Sequence, residues 1–182
     1  MLNSSDEELM AQVRQGDLRK LAVLFERHHR RLFQYFLTLT GDRQQSEDLV
    51  QEVFFRILRY RQSYDQTKPY VAWMYQIARN SSREASRKTR YEPIDQADPV
   101  SPALGADEIF RKRQEVGLLG EALGRLPEEK REVLVLSRFQ NMKYEEIAQV
   151  LGCEVGAVKV RVFRALRALG QIYMELSGEK AS

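Results

Sequence analysis

The sequence predicts an all-α protein in which an extended acidic linker joins two small helical domains. Through most of the 182 residues, apolar side chains recur three and four positions apart, which is the spacing of one face of an α-helix. This spacing is lost between Thr89 and Ala106, where three prolines and one glycine interrupt the chain. We therefore predict an N-terminal domain at 1–88, a linker at 89–106 and a C-terminal domain at 107–182.

The composition is typical of a folded protein in a reducing compartment. Hydrophobic residues make up 43% of the chain and charged residues 30%, and no apolar run approaches the roughly 18 residues of a membrane span. The acidic N-terminus lacks the pattern of a signal peptide, and a single cysteine, Cys153, excludes an internal disulfide. We expect a cytoplasmic protein without membrane insertion.

Four helices are predicted before the linker. Ser5 can cap the first helix and Asp17 the second, which Gly41 terminates, because these residue types suit the ends of helices. Pro69 suits the first turn of the fourth helix. The four predicted helices cover residues 5–15, 17–40, 44–61 and 69–88.

Four further helices are predicted after the linker, and the last two have the pattern of a helix-turn-helix unit. Ala148 is small enough for a close helix crossing, Gly152 can form the turn, and Val158 can pack back on the preceding helix. The predicted helices cover residues 107–126, 127–140, 144–151 and 154–176.

The final helix separates apolar from basic residues. At about 100° per residue, one side collects the apolar residues Val155, Val158, Val162, Ala165, Leu166 and Leu169. The other side carries small or basic residues, namely Ala157, Val160, Arg164 and Arg167, with Lys159 and Arg161 on its flanks. Cations reach phosphates and guanine edges, and methyl groups suit thymine methyls, so the pattern predicts DNA binding. The alternative is a helical hairpin with a solvated basic face.

The third helix presents a mixed polar and aromatic surface. Asp48, Gln51, Glu52 and Phe55 fall on adjoining parts of its outward side. Such a mixture suits a polar protein interface with an aromatic anchor. From the spacing alone, a solvated helix face is the alternative.

Aromatic and basic residues follow one another on the fourth helix. Trp73 and Tyr75 precede the basic residues Arg83, Arg87 and Lys88, and Tyr64 lies in the polar loop before the helix. Bases stack on aromatic rings while cations follow phosphates, so this pattern favours single-stranded nucleic acid. Core packing is the alternative for Trp73 and Tyr75, and a solvated helix end is the alternative for the basic residues.

The sequence offers no constellation for catalysis or metal binding. His28 and His29 are adjacent and point in different directions on a helix, so they make a poor metal pair. Cys153 suits a turn or packing position in the helix-turn-helix better than a reactive thiol. Neither a phosphate-binding glycine loop nor a nucleophile–base pattern is evident. We expect a protein that is not an enzyme and needs no cofactor.

Four segments together resemble the small two-domain extracytoplasmic-function (ECF) group of bacterial RNA polymerase sigma factors, group 4 of the sigma-70 family. The segments are 46–54, 70–80, 125–134 and 143–166, and the resemblance spans nearly the whole chain outside the linker. It implies a four-helix sigma-2-like domain and a helix-turn-helix sigma-4-like domain. It also implies three partners, which are core RNA polymerase (its clamp helices and flap), promoter DNA and an anti-sigma factor.

The resemblance also implies roles for individual residues. The polymerase-binding residues would be Asp48, Gln51, Glu52, Phe54 and Leu58. The residues that read the −10 element as it melts would be Tyr64, Asn80, Arg83, Arg87 and Lys88. The residues that read the −35 element would be Ala157, Lys159, Val160, Arg161, Phe163 and Arg164. Ala157 and Val160 stand where the family often has Thr and Ser, which implies an unusual −35 sequence.

Two other functions remain compatible with the residues. A stand-alone helix-turn-helix regulator would bind DNA without joining polymerase, and a pure interaction module would act as an adaptor. An ordinary regulator has no need for the polar face around Asp48 together with the aromatic and basic residues from Tyr64 to Lys88. The N-terminal half therefore favours the sigma factor.

Overall fold

The structure, a computed structural model, describes residues 4–89 and 107–178, with side chains described for 4–87 and 115–178. Within these ranges the chain forms helices and no strand, which confirms the predicted all-α class. The acidic linker lies outside the described residues except for Thr89. The helices are α1 (Asp6–Arg14), α2 (Arg19–Thr40), α3 (Arg43–Tyr60), α4 (Tyr70–Thr89), α5 (Asp107–Arg125), α6 (Glu128–Leu134), α7 (Tyr144–Leu151) and α8 (Val155–Ser177).

The start of α1 is capped as predicted and ties α1 to α2. Ser5 Oγ accepts the Glu8 N–H (3.2 Å) while the Glu8 carboxylate accepts the Ser5 N–H (3.0 Å). Asp6 Oδ2 lies 2.6 Å from Nε2 of the buried His28, and Asp6 Oδ1 accepts from Arg27 at 2.8 Å. The hydrogen bond with His28 is the main reason that the pKa of Asp6 is lowered.

The predicted cap of α2 is wrong by one residue. Leu18 occupies the N-cap position, and the Asp17 N–H bonds Gln12 O (3.0 Å) at the end of α1. The Asp17 carboxylate nevertheless accepts the Arg19 N–H at 3.3 Å. The other end of α2 is as predicted, with Gly41 in the left-handed conformation at φ 71°.

Two acidic residues define the starts of α3 and α4. The Asp42 side chain caps α3 by accepting the Gln45 N–H at 2.9 Å. Glu7, from α1, accepts the Tyr70 N–H at 3.0 Å. The first helix therefore satisfies a backbone donor at the start of α4, which orients the helix that carries the predicted −10 residues.

A π-helical turn, Val135–Phe139, directly follows α6, where the sequence predicts one continuous helix over 127–140. The Gln140 N–H bonds Val135 O at 2.9 Å, which is a five-residue step. Gln140 is buried, and its amide oxygen accepts from Tyr75 Oη (2.8 Å) while its backbone carbonyl accepts from Arg31 (2.6 Å). The widened turn thus directs Gln140 into the N-terminal helices.

The two halves of the chain share one hydrophobic core. Buried residues of α1–α4 and of α5–α8 form a continuous cluster. Helix α7 packs on α4, while α6 and the π-helical turn pack on α2. Among the described helices none is long and apolar enough to cross a membrane.

Candidate functional site

The exposed surface of α3 contains most of the residues predicted for protein docking. Asp48 and Gln51 are exposed, while Glu52 and Leu58 are half-buried. Phe55 is 59% exposed and gives this surface an aromatic side chain. We call these five residues the α3 surface. Their arrangement suits a polar interface around an aromatic anchor.

Phe54 does not belong to the α3 surface. Its side chain is buried and packs edge-to-face against Phe25 of α2, with ring centroids 4.9 Å apart. In this structure Phe54 is therefore a core residue and not part of the exposed surface, and its contact with polymerase stays a prediction. The adjacent Phe55 points outward, since successive residues on a helix differ by about 100°.

A network of charges crosses the edge of the α3 surface. The Arg56 guanidinium donates to Glu52 on its own helix and to Glu84 on α4. Both carboxylates raise the pKa of Arg56. Glu52 is thus already engaged within the chain, and a partner of the α3 surface meets it as part of this network.

A groove of about 400 Å³ borders the α3 surface, between α2 and α3. Phe25 and His29 stack along one side with ring centroids 4.9 Å apart, and the Arg43 guanidinium lies 5.5 Å from the Phe33 ring. Gln51 lines the groove and also belongs to the α3 surface. The groove therefore extends the candidate docking surface with apolar and cationic groups.

The predicted −10 residues of α4 lie on one stretch of the helix, but their environments differ. Asn80 and Arg87 are exposed. The Arg83 side chain is 39% exposed and lies 3.9 Å from Glu132. The side chain of Lys88 lies outside the described residues.

Tyr64 is a core residue and not an exposed stacking platform. It is 2% exposed, its hydroxyl donates to Lys68 O (2.7 Å), and its ring packs against Tyr70 and Trp73. Burial raises its pKa to about 12. In this arrangement the ring of Tyr64 is not accessible to a promoter base, because it already fills the aromatic cluster under α4, and the stacking stays a prediction. Tyr75 is likewise buried, and Trp73 packs against the core, as the alternative interpretation held.

The helix-turn-helix unit has the predicted geometry. Ala148 is buried at the crossing, and Gly152 ends α7 in the left-handed conformation at φ 64°. The Cys153 N–H bonds Ala148 O at 3.0 Å, and the Cys153 side chain packs against the core. Val158 is fully buried against the preceding helices. Cys153 thus has the packing role that the sequence favoured.

Helix α8 presents the predicted −35 residues on its open side. Val158, Val162 and Ala165 are buried. Exposed or half-exposed on the remaining surface are Ala157, Lys159, Val160, Arg161, Phe163, Arg164 and Arg167. The sequence places Leu166 on the apolar side, but its side chain is 38% exposed at the margin of the buried stripe. The open side of α8 is therefore basic with apolar patches at Val160 and Phe163.

Sequence reasoning missed Glu132, which is a buried acid of α6. It accepts from Arg79 Nε at 2.9 Å, and Tyr35 Oη donates to it at 3.4 Å. Burial, with a smaller contribution from Glu132, raises the pKa of Tyr35 well above its ordinary value. No sequence signal marks Glu132, because its partners Arg79 and Tyr35 are 53 and 97 residues away in the chain.

The two histidines do not converge. His28 points to Asp6, and His29 Nδ1 lies 2.9 Å from Phe25 O. Within the described part of the chain, no group of three or more His, Cys, Asp or Glu side chains could hold a metal ion.

Comparisons with known proteins identify the family. The family model described as Sigma-70 region 2 matches residues 24–91, and the one described as Sigma-70, region 4 matches residues 117–169. The ECF RNA polymerase sigma factor SigL of Mycobacterium tuberculosis is 32% identical to this chain over 161 residues, which cover 86% of the chain and 90% of SigL. This chain belongs to the ECF sigma-factor family.

Two further relatives extend over almost the whole sigma factor. The RNA polymerase sigma-H factor of Pseudomonas aeruginosa is 25% identical over 191 residues, which cover 98% of this chain and 99% of that protein. The solved structure of CnrH in complex with the cytosolic domain of CnrY matches with a TM-score of 0.73 and 27% identity. That match covers 93% of this chain and 97% of CnrH. The α3 surface and α4 lie within the region 2 match of this sigma factor, and the exposed face of α8 lies within its region 4 match.

Proposed function

We propose that this protein binds core RNA polymerase, recognises the −10 and −35 elements of promoters and initiates transcription from them. The observation that carries the proposal is the exposed basic face of α8, which lies opposite the buried stripe of a helix-turn-helix in a chain that also contains sigma region 2. Sigma factors are non-enzymatic regulatory subunits. We therefore infer that the chain contributes binding and needs no cofactor, and that it acts in the cytoplasm with polymerase.

The α3 surface is the proposed contact with the clamp helices of polymerase. Its acidic and amide groups give orientation, and Phe55 provides an apolar anchor that is already exposed. The helix-turn-helix domain at 107–182 is the proposed contact with the polymerase flap. These two contacts would place the DNA-reading helices on one promoter at the same time.

The two DNA-reading elements have different tasks in this proposal. Asn80, Arg83, Arg87 and Lys88 of α4 contact the −10 strand through base edges and phosphates. The open side of α8 reads the −35 element in the major groove, where Val160 suits a thymine methyl and Arg164 suits a guanine edge. Because polymerase holds both elements, two weak contacts combine through effective concentration. The acidic linker at 89–106 would thread a positively charged channel of polymerase.

We further propose that an anti-sigma factor controls the chain. The support is the resemblance to CnrH, whose structure was solved with the cytosolic domain of CnrY. The partner would restrict access to the same α3, α4 and α8 surfaces.

Run-off transcription tests the proposed function. Purified core polymerase is given fragmented genomic DNA of the source organism, with and without this protein. Discrete new transcripts that share two upstream sequence boxes are the expected result, and they also reveal the promoter sequence. If no new transcript appears while a control sigma factor works with the same polymerase, the proposal is wrong. A stand-alone regulator is then the better description.

A further inference from the structure

The acidic edge of α6 faces the basic side of α4. Glu132 is only 6% exposed, and its carboxylate contacts Arg79 at 2.9 Å and Arg83 at 3.9 Å. A carboxylate is costly to bury unless it is paired, so the burial of Glu132 depends on these two arginines. The two helices belong to different halves of the chain, and the pair therefore forms only when the halves pack together.

The same apposition continues along both helices. Glu128 and Glu129, at the exposed start of α6, line a groove of about 300 Å³ together with Arg83, Ser86 and Arg87. On α4 the arginines are one helical turn apart, at positions 79, 83 and 87. On α6 the acids occupy positions 128, 129 and 132. The acidic side chains of α6 thus lie along the arginines of α4. A nucleic-acid strand bound to these arginines would place its phosphates in a similar row.

Polar contacts elsewhere hold the halves in this arrangement. Tyr75 Oη donates to the Gln140 side chain at 2.8 Å, and Gln76 Nε2 donates to Gln149 O at 2.7 Å. Arg131 of α6 donates to Leu39 O, at the end of α2, at 2.7 Å. The α6 edge is therefore positioned by several contacts and not by the Glu132 pair alone.

We propose that the α6 edge (Glu128, Glu129 and Glu132) competes with single-stranded DNA for the arginines of α4. In the closed arrangement seen here, carboxylates occupy positions that DNA phosphates would need. The halves must separate before α4 can bind a strand, so the measured affinity falls in proportion to the fraction of open molecules. The inference rests on the proposed role of α4 in reading the −10 strand.

A charge-neutral variant of the full chain tests the competition. Glu132→Gln removes the buried charge and keeps the shape of the side chain, while Glu175→Gln makes the same charge change at an exposed position of α8. The probe is a fluorescein-labelled oligothymidine of about 12 nucleotides, whose binding is measured by anisotropy at low salt. We expect Glu132→Gln to bind the oligonucleotide about tenfold more tightly than wild type. A gain of that size corresponds to a wild type in which closed molecules outnumber open ones about tenfold. Glu175→Gln should bind like wild type.

A second readout follows the separation of the halves. Trp73 is the only tryptophan and Cys153 the only cysteine, and they lie in different halves. Energy transfer from Trp73 to an acceptor attached to Cys153 should be lower in Glu132→Gln than in wild type or Glu175→Gln. Labelled and unlabelled proteins should have the same circular dichroism, which shows that the label preserves the fold.

A third variant covers the case in which Glu132→Gln does not fold. Glu128→Gln combined with Glu129→Gln alters only exposed side chains, and it should also tighten binding of the oligonucleotide. If both variants bind as wild type and energy transfer is unchanged, the inference is wrong.

One outcome separates this inference from the proposed function. Energy transfer could fall in Glu132→Gln while oligonucleotide binding does not change. The halves then separate without a gain in DNA binding, so the proposed competition is wrong and α4 is not the element that binds the strand. Run-off transcription then decides independently whether the chain is a sigma factor. In the expected case, adding Arg83→Ala and Arg87→Ala to Glu132→Gln abolishes the gain in affinity.

Discussion

At the scale of single residues, two neighbouring phenylalanines of α3 have opposite environments. Phe54 is buried against Phe25, and Phe55 is 59% exposed. The burial of Phe54 contributes to folding, whereas Phe55 is available to a partner. The pair therefore separates stability from docking in one helix.

This difference predicts the effects of two alanine substitutions. Phe54→Ala should lower the free energy of unfolding by about 3–5 kcal/mol, because it leaves a cavity in the core. Phe55→Ala should change it by less than about 0.5 kcal/mol but weaken binding to core polymerase by more than about 1 kcal/mol. Urea unfolding and polymerase binding by fluorescence measure the two effects. If Phe55→Ala binds polymerase with the affinity of wild type, Phe55 does not contact polymerase.

Arg164 on the open side of α8 allows a similar test for promoter reading. Arg164→Ala should cost about 1–3 kcal/mol in promoter binding if the guanidinium contacts a base. Arg125→Ala is the matched control, since Arg125 is exposed on α5 and pairs with Glu121. Initiation from the promoter and from −35 variants measures both. A promoter preference that does not change in Arg164→Ala would exclude Arg164 from base recognition.

At the scale of elements, capping and charge decide how helices join. Asp6 connects the first turn of α1 to His28 and Arg27 of α2, and its pKa is lowered chiefly by the His28 hydrogen bond. A carboxyl group whose pKa is lower in the folded state stabilises the fold above its unfolded pKa. The stabilisation is lost as the pH falls through the folded value, which lies below 3.8.

The pH dependence of one variant checks this contribution. Asp6→Asn should lower the free energy of unfolding at neutral pH by about 1.5–3 kcal/mol, which is the range for hydrogen bonds to a charged group. The difference from wild type should shrink as the pH falls below 3.8 and through the lowered pKa at which folded wild-type Asp6 becomes protonated. Glu26→Gln, at an exposed position of α2, is the control. A difference that stays constant over pH would contradict a role for the Asp6 charge.

The turn of the helix-turn-helix makes a second prediction at this scale. Gly152 has φ +64°, and a Cβ there would meet no atom within 4 Å, so Gly152→Ala should cost only backbone strain, about 1–2 kcal/mol. Gly170, in the interior of α8, has no positive φ and equal space, so Gly170→Ala should stabilise by about 0.5–1 kcal/mol. Thermal unfolding measures both. Equal effects of the two substitutions would refute this account of Gly152.

At the scale of the whole molecule, the shared core predicts a single unfolding transition. Trp73 reports on the N-terminal helices, and the reactivity of the Cys153 thiol reports on the helix-turn-helix. Because the two halves bury residues against one another, both probes should give the same urea midpoint in wild type. Tyr75→Phe leaves the buried Gln140 amide oxygen without its donor. It should lower the urea midpoint or make the midpoints of the two probes differ. Separate midpoints in wild type would show that the halves fold independently.

The sequence by itself determined where most helices lie, three of their ends and the face that α8 exposes. Periodicity and capping are local properties, so Ser5, Gly41 and Gly152 could be placed without a structure. The predicted DNA-facing residues of α8 are exposed or half-exposed for the same reason, since helical geometry sorts neighbours by angle.

Only the tertiary structure decided which aromatic side chains are free and which charges meet. Tyr64 and Phe54 had sequence environments that suited binding surfaces, yet both are buried. Phe54 packs against Phe25 of another helix, and the ring of Tyr64 packs under the start of α4, against Tyr70 and Trp73. The contact of Glu132 with Arg79 joins residues 53 positions apart, and the π-helical turn directs Gln140 to Tyr75 across the two halves. Such contacts depend on how complete helices pack, and the spacing of residues along one helix carries no information about them.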